Sequence, residues 1–398
     1  MDITIQPGKL SGSVHVIPSK SQAHRLLICA AFADRSTTLR CPEINRDIQA
    51  TADCLNALGA TILRTKEGYE VTPLSSLPQK ATLYCCESGS TLRFLLPIAG
   101  ALGVDSTFLM EGRLSSRPLS PLWEEMERMG CHLSWEDGHT LHLTGRLRPG
   151  QYHISGAVSS QFISGLLLAA PLMDGNSSIN IIGNLESGPY VKMTQAAMSV
   201  FGVESADYTV DRTQRYHSPG MVQVEGDWSN GAFWLCATGL GSDLKVTNLN
   251  PKSPQGDRKV TELLPALSEN VVIDVSDIPD LVPILSVVAC TKKGAIFQNI
   301  QRLRLKESDR VASTIAMIRA LGGKAKATEK DMIIHGTGFT GGTVDACNDH
   351  RIAMAAAIAS TVCSAPVTIL GAQCVEKSYP LFWEVFKHLG GKYELNLR

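Results

Sequence analysis

The segment RIAMAAAIAS, residues 351–360, decides the fold, because a helix built from it has no polar face and must be enclosed on all sides. Five further segments share this character: AHRLLICAAFA (23–33), TLRFLLPIAGAL (91–102), FISGLLLAAPLM (162–173), AFWLCATGL (232–240) and LVPILSVVAC (281–290). Short β-rich stretches follow them, namely STTLRC, STFLM, SINII, LKVTNL, AIFQNI and PVTIL. Amphipathic helical patterns such as SPLWEEMERMG (120–130) come next, and then hairpin-like pairs such as ATILRT with YEVTP and CHLSW with HTLHLTG. Each unit reads strand, buried helix, strand, amphipathic helix, strand, strand.

The same period is marked by glycines where helical patterns give way to strands: Leu58-Gly59-Ala60, Met129-Gly130-Cys131, Phe201-Gly202-Val203, Leu321-Gly322-Gly323 and Leu389-Gly390-Gly391. A helix commonly stops at a residue with positive φ, which glycine adopts without penalty. The intervals are 71, 72, 120 and 68 residues, and the long one hides a degenerate end at Ala266-Leu267-Ser268, between RKVTELLPALS and NVVIDVS. Six repeats of βαβαββ therefore fill the chain, three on each side of a hinge near VEGDWSNG (224–231). The expected fold class is α/β: a two-domain inside-out α/β barrel, with buried parallel helices and the sheets outside.

With 37 basic and 38 acidic side chains, 44% hydrophobic residues and 19% charged ones, the chain can form substantial cores and lacks the excess positive charge usual for nucleic-acid or membrane-surface binding. Its first ten residues contain no basic and apolar signal pattern, and no apolar run is long enough to span a bilayer. Eleven cysteines, none in a Cys-x-x-Cys pair and most within apolar runs, read as small buried hydrophobes in a reducing cytosol. A cytoplasmic location is expected.

Polar residues gather where the apolar helices begin. Ser19-Lys20-Ser21-Gln22-Ala23-His24-Arg25 precedes the first, Glu87-Ser88-Gly89-Ser90-Thr91-Leu92-Arg93 the second and Ser159-Ser160-Gln161 the third; Asp280 opens the fifth and Asn348-Asp349-His350-Arg351 the sixth. Serine and aspartate there are ordinary N-caps. Lys20, Arg25, Arg93 and Arg351 are not, since cations oppose the positive end of a helix dipole. Helix N-H groups and cations presented to one cleft would form a strong anion site. Arg302 to Arg310, Lys377, Arg113 and Arg117 add charge near other helix starts. No Cys/His/Asp cluster has metal-ligand spacing, so neither a metal nor another cofactor is expected.

SKSQAHR, ESGSTLRF, EGRLSSRP, SSQF, GPY, DIPD, RLKESDR, NDHR and EKSYP occur in this order from end to end of the chain. In these motifs the sequence resembles the EPSP synthase (3-phosphoshikimate 1-carboxyvinyltransferase) family. The resemblance implies two domains closing over an interdomain cleft: a discontinuous one of residues 1–14 and 227–398 and an inserted one of residues 15–226, with the hinge near 15 and 226. It implies transfer of the enolpyruvyl group of phosphoenolpyruvate to the 5-hydroxyl of 3-phosphoshikimate by addition and elimination, in the shikimate pathway to chorismate and the aromatic amino acids. The phosphoenolpyruvate site is where glyphosate competes in sensitive members.

By similarity, Lys20, Ser21, Arg25, Ser159, Ser160, Gln161, Ser187, Asp280 and Lys306 match the family's 3-phosphoshikimate contacts. Lys20, Gly89, Arg117, Gln161, Arg310, Arg351 and Lys377 match the phosphoenolpyruvate pocket. Asp280 matches the carboxylate that takes the hydroxyl proton, Lys306 and Glu307 the pair beside the reacting methylene, and Lys20 joins them as catalytic. Three positions depart from the pattern: His24 and Glu87 stand where many members have asparagine, and Arg302 where some have an asparagine that touches the shikimate ring, so Arg302 is left out of the site. The expected partners are these small molecules, with no nucleic acid or membrane and with a monomer as the working unit.

The sister family acting on UDP-N-acetylglucosamine usually has a reactive cysteine in the loop matching EGRLSSRP and an asparagine after the first lysine; here the loop has no thiol and Ser21 follows Lys20. A non-catalytic anion-binding homologue would have no reason to keep Asp280, Lys306, Glu307 and Arg310 together.

Overall fold

The computed structural model describes residues 1–396, which form two compact units. Among the described residues, one comprises 1–17 together with 226–396, and the other 18–225, so the chain passes between them twice, after Ile17 and after Glu225. Each unit has its own hydrophobic core.

Twelve α-helices are found among the described residues. In the unit of 18–225 they are α1 (Lys20–Ala31), α2 (Arg46–Ala57), α3 (Gly89–Leu102), α4 (Leu122–Arg128), α5 (Ser160–Ala169) and α6 (Gly188–Val200). The other unit holds α7 (Trp228–Gly239), α8 (Val260–Ala266), α9 (Val282–Thr291), α10 (Arg310–Ala320), α11 (His350–Ala359) and α12 (Phe382–His388). The six apolar segments coincide with α1, α3, α5, α7, α9 and α11, and every residue of α11 is buried. Its Ala353, Ala355, Ala356, Ala357 and Ala359 leave room for α7, α9 and α10 to pack around it.

The sheets repeat one topology. In Val271–Asp274, Gly294–Gln298, Lys324–Ala327 and Asp331–His335 the first two strands pair in parallel, and the last lies antiparallel between the second and the third. The strands Lys80–Cys86, Asp105–Met110, Cys131–Trp135 and Thr140–Gly145 do the same. Two further sheets reach the pattern by borrowing a distant strand. Met221–Gln223 pairs in parallel with Thr37–Arg40, and Asp2–Gln6 lies between Val367–Leu370 and Lys392–Asn396, with Ile3 opposite both Ile369 and Leu395.

Two features of the expected fold need correction. The sheets are six separate open ones, so no closed barrel is formed among the described residues. The repeats are also unequal: the third sheet has three strands, and the fourth only Asp243–Thr247 beside Ser11–His15, because α8 is followed directly by the first strand of the next repeat. The α/β class stands. All eleven cysteines are free, and only Cys347 is exposed. No helix of the described residues is long and apolar enough to cross a membrane.

One close approach positions site residues. Pro97 inside α3 cannot donate to the carbonyl of Arg93, and α5 crosses there at Gly165. A methyl group on Gly165 would lie 2.2 Å from the Arg93 carbonyl oxygen and 3.0 Å from Pro97 Cγ. Because the first obstacle is backbone, Gly165→Ala must part the two helices. The expected loss is about 1–3 kcal/mol, seen as a lower urea midpoint at unchanged m-value; an unaltered midpoint would show that this contact is not tight.

Candidate active site

In the unit of 18–225, serines cap the buried helices. Ser19 accepts from the Gln22 N-H, Ser88 from the Thr91 N-H and Ser159 from the Gln161 N-H, as short polar residues at helix starts usually do. Capping in this way leaves the cationic side chains to be accounted for. Lys20 forms a 2.9 Å ion pair with Asp47 on the first turn of α2. Arg93 reaches from α3 to the Gln161 side-chain oxygen at 2.8 Å and to the Pro118 carbonyl at 2.9 Å, while the Gln161 amide donates to Ser90 at 3.0 Å. Gly89 lies against this group: a methyl there would sit 2.8 Å from both Arg117 Nη1 and Arg93 Nη1. Gly89, Arg117 and Gln161 are thus together, with Ser159 and Ser160 at the same end of α5 and Lys20 joined through α2.

Arg25 faces elsewhere. It donates to Thr194 Oγ1 at 2.6 Å, to the Tyr190 carbonyl at 3.0 Å and to the Ser21 carbonyl at 2.5 Å, and lies over the Phe94 ring. Burial lowers its pKa to about 10, with Tyr190 and Cys29 opposing the shift. Ser187, buried and in the left-handed region at φ 56°, starts α6, the helix that carries Tyr190 and Thr194.

The unit of 1–17 and 226–396 holds a denser cluster. Asp280 lies in the turn Pro279–Leu281 before α9. Its carboxylate meets Arg310 Nη1 at 2.7 Å, Arg351 Nη2 at 2.9 Å and Lys306 Nζ at 3.7 Å. Arg310 is buried and also pairs with Glu307 at 2.5 Å and with Asp349 at 2.9 Å. Asp349 caps α11 through the Arg351 N-H and accepts from Ser308 at 3.0 Å. Lys377 donates to the Asn348 carbonyl at 3.1 Å and so reaches the loop before α11.

The electrostatics follow from these contacts. Burial opposes ionisation of Asp280, but Arg351, Lys306 and Arg310 outweigh it and hold its pKa well below the ordinary carboxylate value. Burial lowers the Lys306 pKa to about 8, with Asp280 acting in the opposite sense. Arg310 is raised, because Asp349, Glu307 and Asp280 more than offset its burial.

Several participants were not assigned to the site from the sequence. Asp257, buried behind the cluster, accepts from the Ser229 hydroxyl, and burial together with Asp280 raises its pKa to about 7. Asp47, Arg93 and Asp349 are the partners that fix Lys20, Gln161 and Arg310. Arg93 and Asp349 lay within quoted motifs, whereas Asp47 and Asp257 carried no signal beyond an acid near a helix start. Arg302 lies in the turn before Lys306 and is among the charges that lower its pKa.

Helix starts and buried cations that gather acidic side chains, on repeated α/β units, offer places where anions can be held. An EPSP synthase structure from Acinetobacter baumannii covers all of this chain with a TM-score of 0.80 at 22% identity, and an enolpyruvyl transferase of Streptomyces tendae covers 99% with 0.77 at 16%; at such identities the likeness concerns the fold. A sequence profile for EPSP synthase (3-phosphoshikimate 1-carboxyvinyltransferase) matches residues 5–272 and 265–386. The 3-phosphoshikimate 1-carboxyvinyltransferases of Clostridium kluyveri and Clostridioides difficile are 38% and 35% identical, each alignment covering 98% of both chains. The chain belongs to the EPSP synthase family.

Because Asp280, ahead of Glu307, is the carboxylate that most favours the charged form of Lys306, Asp280→Asn is expected to move the Lys306 midpoint downward from about 8. Side-chain carbon NMR across a pH titration measures it, and an upward shift is the contrary result.

Proposed function

We propose that this chain transfers the enolpyruvyl group of phosphoenolpyruvate to the 5-hydroxyl of 3-phosphoshikimate, releasing phosphate, as its family membership and its relatives' names support. The observation that carries the chemistry is the group in which half-buried Asp280, Lys306 and Glu307 meet buried Arg310 and Arg351. Addition of the hydroxyl to the enol carbon requires one proton taken from oxygen and one given to the methylene; elimination then removes a methyl proton as phosphate leaves. Asp280 takes the hydroxyl proton, and Lys306 and Glu307 serve the methylene. A lysine whose pKa is about 8 can exchange protons near neutral pH.

Asp280 paired with three cations is a weak base. The carboxylate of phosphoenolpyruvate would compete for Arg310 and Arg351, and their withdrawal would raise the basicity of Asp280 as the substrate arrives. Arg310 can make that exchange because Asp349 grips its Nε side while its two Nη groups point to Asp280 and Glu307. Lys20, Gly89, Arg117, Gln161 and Lys377 complete the phosphoenolpyruvate site. Ser21, Arg25, Ser159, Ser160, Gln161 and Ser187, with Lys20, Asp280 and Lys306, hold 3-phosphoshikimate.

Both clusters serve this one reaction, and binding of 3-phosphoshikimate draws their units together over the substrates; small-angle scattering should show a smaller radius of gyration with substrate, and no change would count against closure. Burial of the apolar helices supports an inside-out arrangement within each unit. The near-neutral composition supports the lack of a nucleic-acid partner, and the cysteines within apolar runs support a cytoplasmic location; a monomer is the proposed working unit.

Phosphate release tests the reaction: turnover is expected with phosphoenolpyruvate and 3-phosphoshikimate, and activity with UDP-N-acetylglucosamine or with neither acceptor would overturn it. In the same assay Asp280→Ala and Lys306→Ala should lower kcat by about 10²–10⁴-fold, and a wild-type kcat would remove them from the chemistry. Gly89→Ala, which pushes on the Arg117 guanidinium, should instead raise KM for phosphoenolpyruvate.

A further inference from the structure

Beneath the Lys20–Asp47 ion pair a chain of buried hydrogen bonds crosses three helices. His24 Nδ1 on α1 is 2.7 Å from Thr51 Oγ1 on α2, Thr51 Oγ1 is 2.7 Å from Thr91 Oγ1 on α3, and Thr91 Oγ1 is 2.7 Å from Ser88 Oγ. Ser88 is the cap that accepts from the Thr91 N-H, and Gly89 follows it. His24, Thr51, Ser88 and Thr91 are all buried. We propose that His24 is a positioning residue, which through Thr51 and Thr91 holds the Ser88 cap and so sets Gly89 and the start of α3 for phosphoenolpyruvate. The inference rests on the functional reading above and extends it to a residue in contact with neither substrate.

Proton counting fixes the direction of the chain. Thr91 has one hydroxyl proton, and both acceptors it faces, Ser88 Oγ at 2.7 Å and the Asp47 carbonyl at 3.5 Å, take it outward. Thr91 must therefore accept from Thr51, and Thr51, having given its proton, must accept from His24. The imidazole is consequently the Nδ1-H tautomer, and Nε2 is a buried lone pair with no hydrogen-bond partner. A proton on Nε2 would find no acceptor, in keeping with a pKa held well below the ordinary histidine value by burial and by the charges of Lys20 and Arg25. His24 is thus a fixed donor, and every later member of the chain takes its orientation from it.

The consequence is selective. A general loosening of α1 would disturb Lys20, Ser21 and Arg25 on the same helix, and with them 3-phosphoshikimate. Loss of the donor alone reaches α3 and Gly89.

The test compares His24→Leu, which fills the space without a donor, with His24→Asn, whose amide can donate from near the Nδ1 position. His24→Leu is expected to raise KM for phosphoenolpyruvate about three- to ten-fold, with kcat and KM for 3-phosphoshikimate changed less than about two-fold. His24→Asn should restore the wild-type value. Thr51→Val breaks the same chain from α2, with the sequence of α1 unchanged; it should reproduce the selective defect, and adding His24→Leu to it should give no further loss. Equal behaviour of the leucine and asparagine variants, or a parallel rise in both KM values, would overturn the proposal. Nitrogen NMR of the histidine ring in the unliganded protein supplies a readout independent of turnover, and an Nε2-H tautomer is a second refuting result. A wild-type protein inactive on both substrates would refute the functional reading and leave the tautomer measurement standing.

Discussion

A helix without a polar face can meet polar surroundings only at its ends, and that constraint organises this molecule. In α3, α5 and α11 nearly every side chain is buried, so each helix offers its N-H groups and its capping loop as the place where charge can be held. The same serines and aspartates that complete the backbone hydrogen bonds, Ser88, Ser159 and Asp349, thereby become the fixed points around which Gly89, Gln161, Arg310 and Arg351 are arranged.

Burying cations at the positive end of helix dipoles is unfavourable unless each finds a partner. Arg310 resolves this with three carboxylates and Lys20 with one, while Arg93 relies on an amide oxygen and a carbonyl. The difference matters for function. A cation neutralised by a mobile carboxylate can exchange it for a substrate anion, whereas one held by carbonyls in a tight helix crossing is a positioning element. Asp280 and Glu307, each partly exposed, belong to the exchangeable class; Asp349, fully buried, belongs to the fixed class.

Much of this was legible in the residues because it depends on local pattern. The six apolar segments, the caps at Ser19, Ser88 and Ser159 and the α/β class follow from periodicity and residue type. What was not legible depends on distance in sequence. Nothing in MVQ at 221–223 announces that it completes a sheet with Thr37–Arg40, and nothing in the first strand announces its place between strands near residues 369 and 394. Closure into a barrel was expected from the regularity of the repeats, but the third and fourth repeats lack the strands that a uniform array would need. Asp47 and Asp257 were passed over for a related reason: an acid near a helix start is locally unremarkable, and only the fold sets one against Lys20 and the other behind Asp280.

The two acids behind the charged cluster differ in a way that bears on its chemistry. Asp349 is ringed by donors from Arg310, Arg351 and Ser308. Asp257 has the Ser229 hydroxyl as donor and Asp280 as a like-charged neighbour, and burial leaves its pKa near 7. Two acids that share a set of cations cannot titrate independently. When a substrate carboxylate draws Arg351 away from Asp280, the cation that also favours ionisation of Asp257 is lost with it, so both acids become more basic together. The cluster would therefore respond to an arriving anion by taking up protons, which is the direction that the proposed transfer from a hydroxyl group requires.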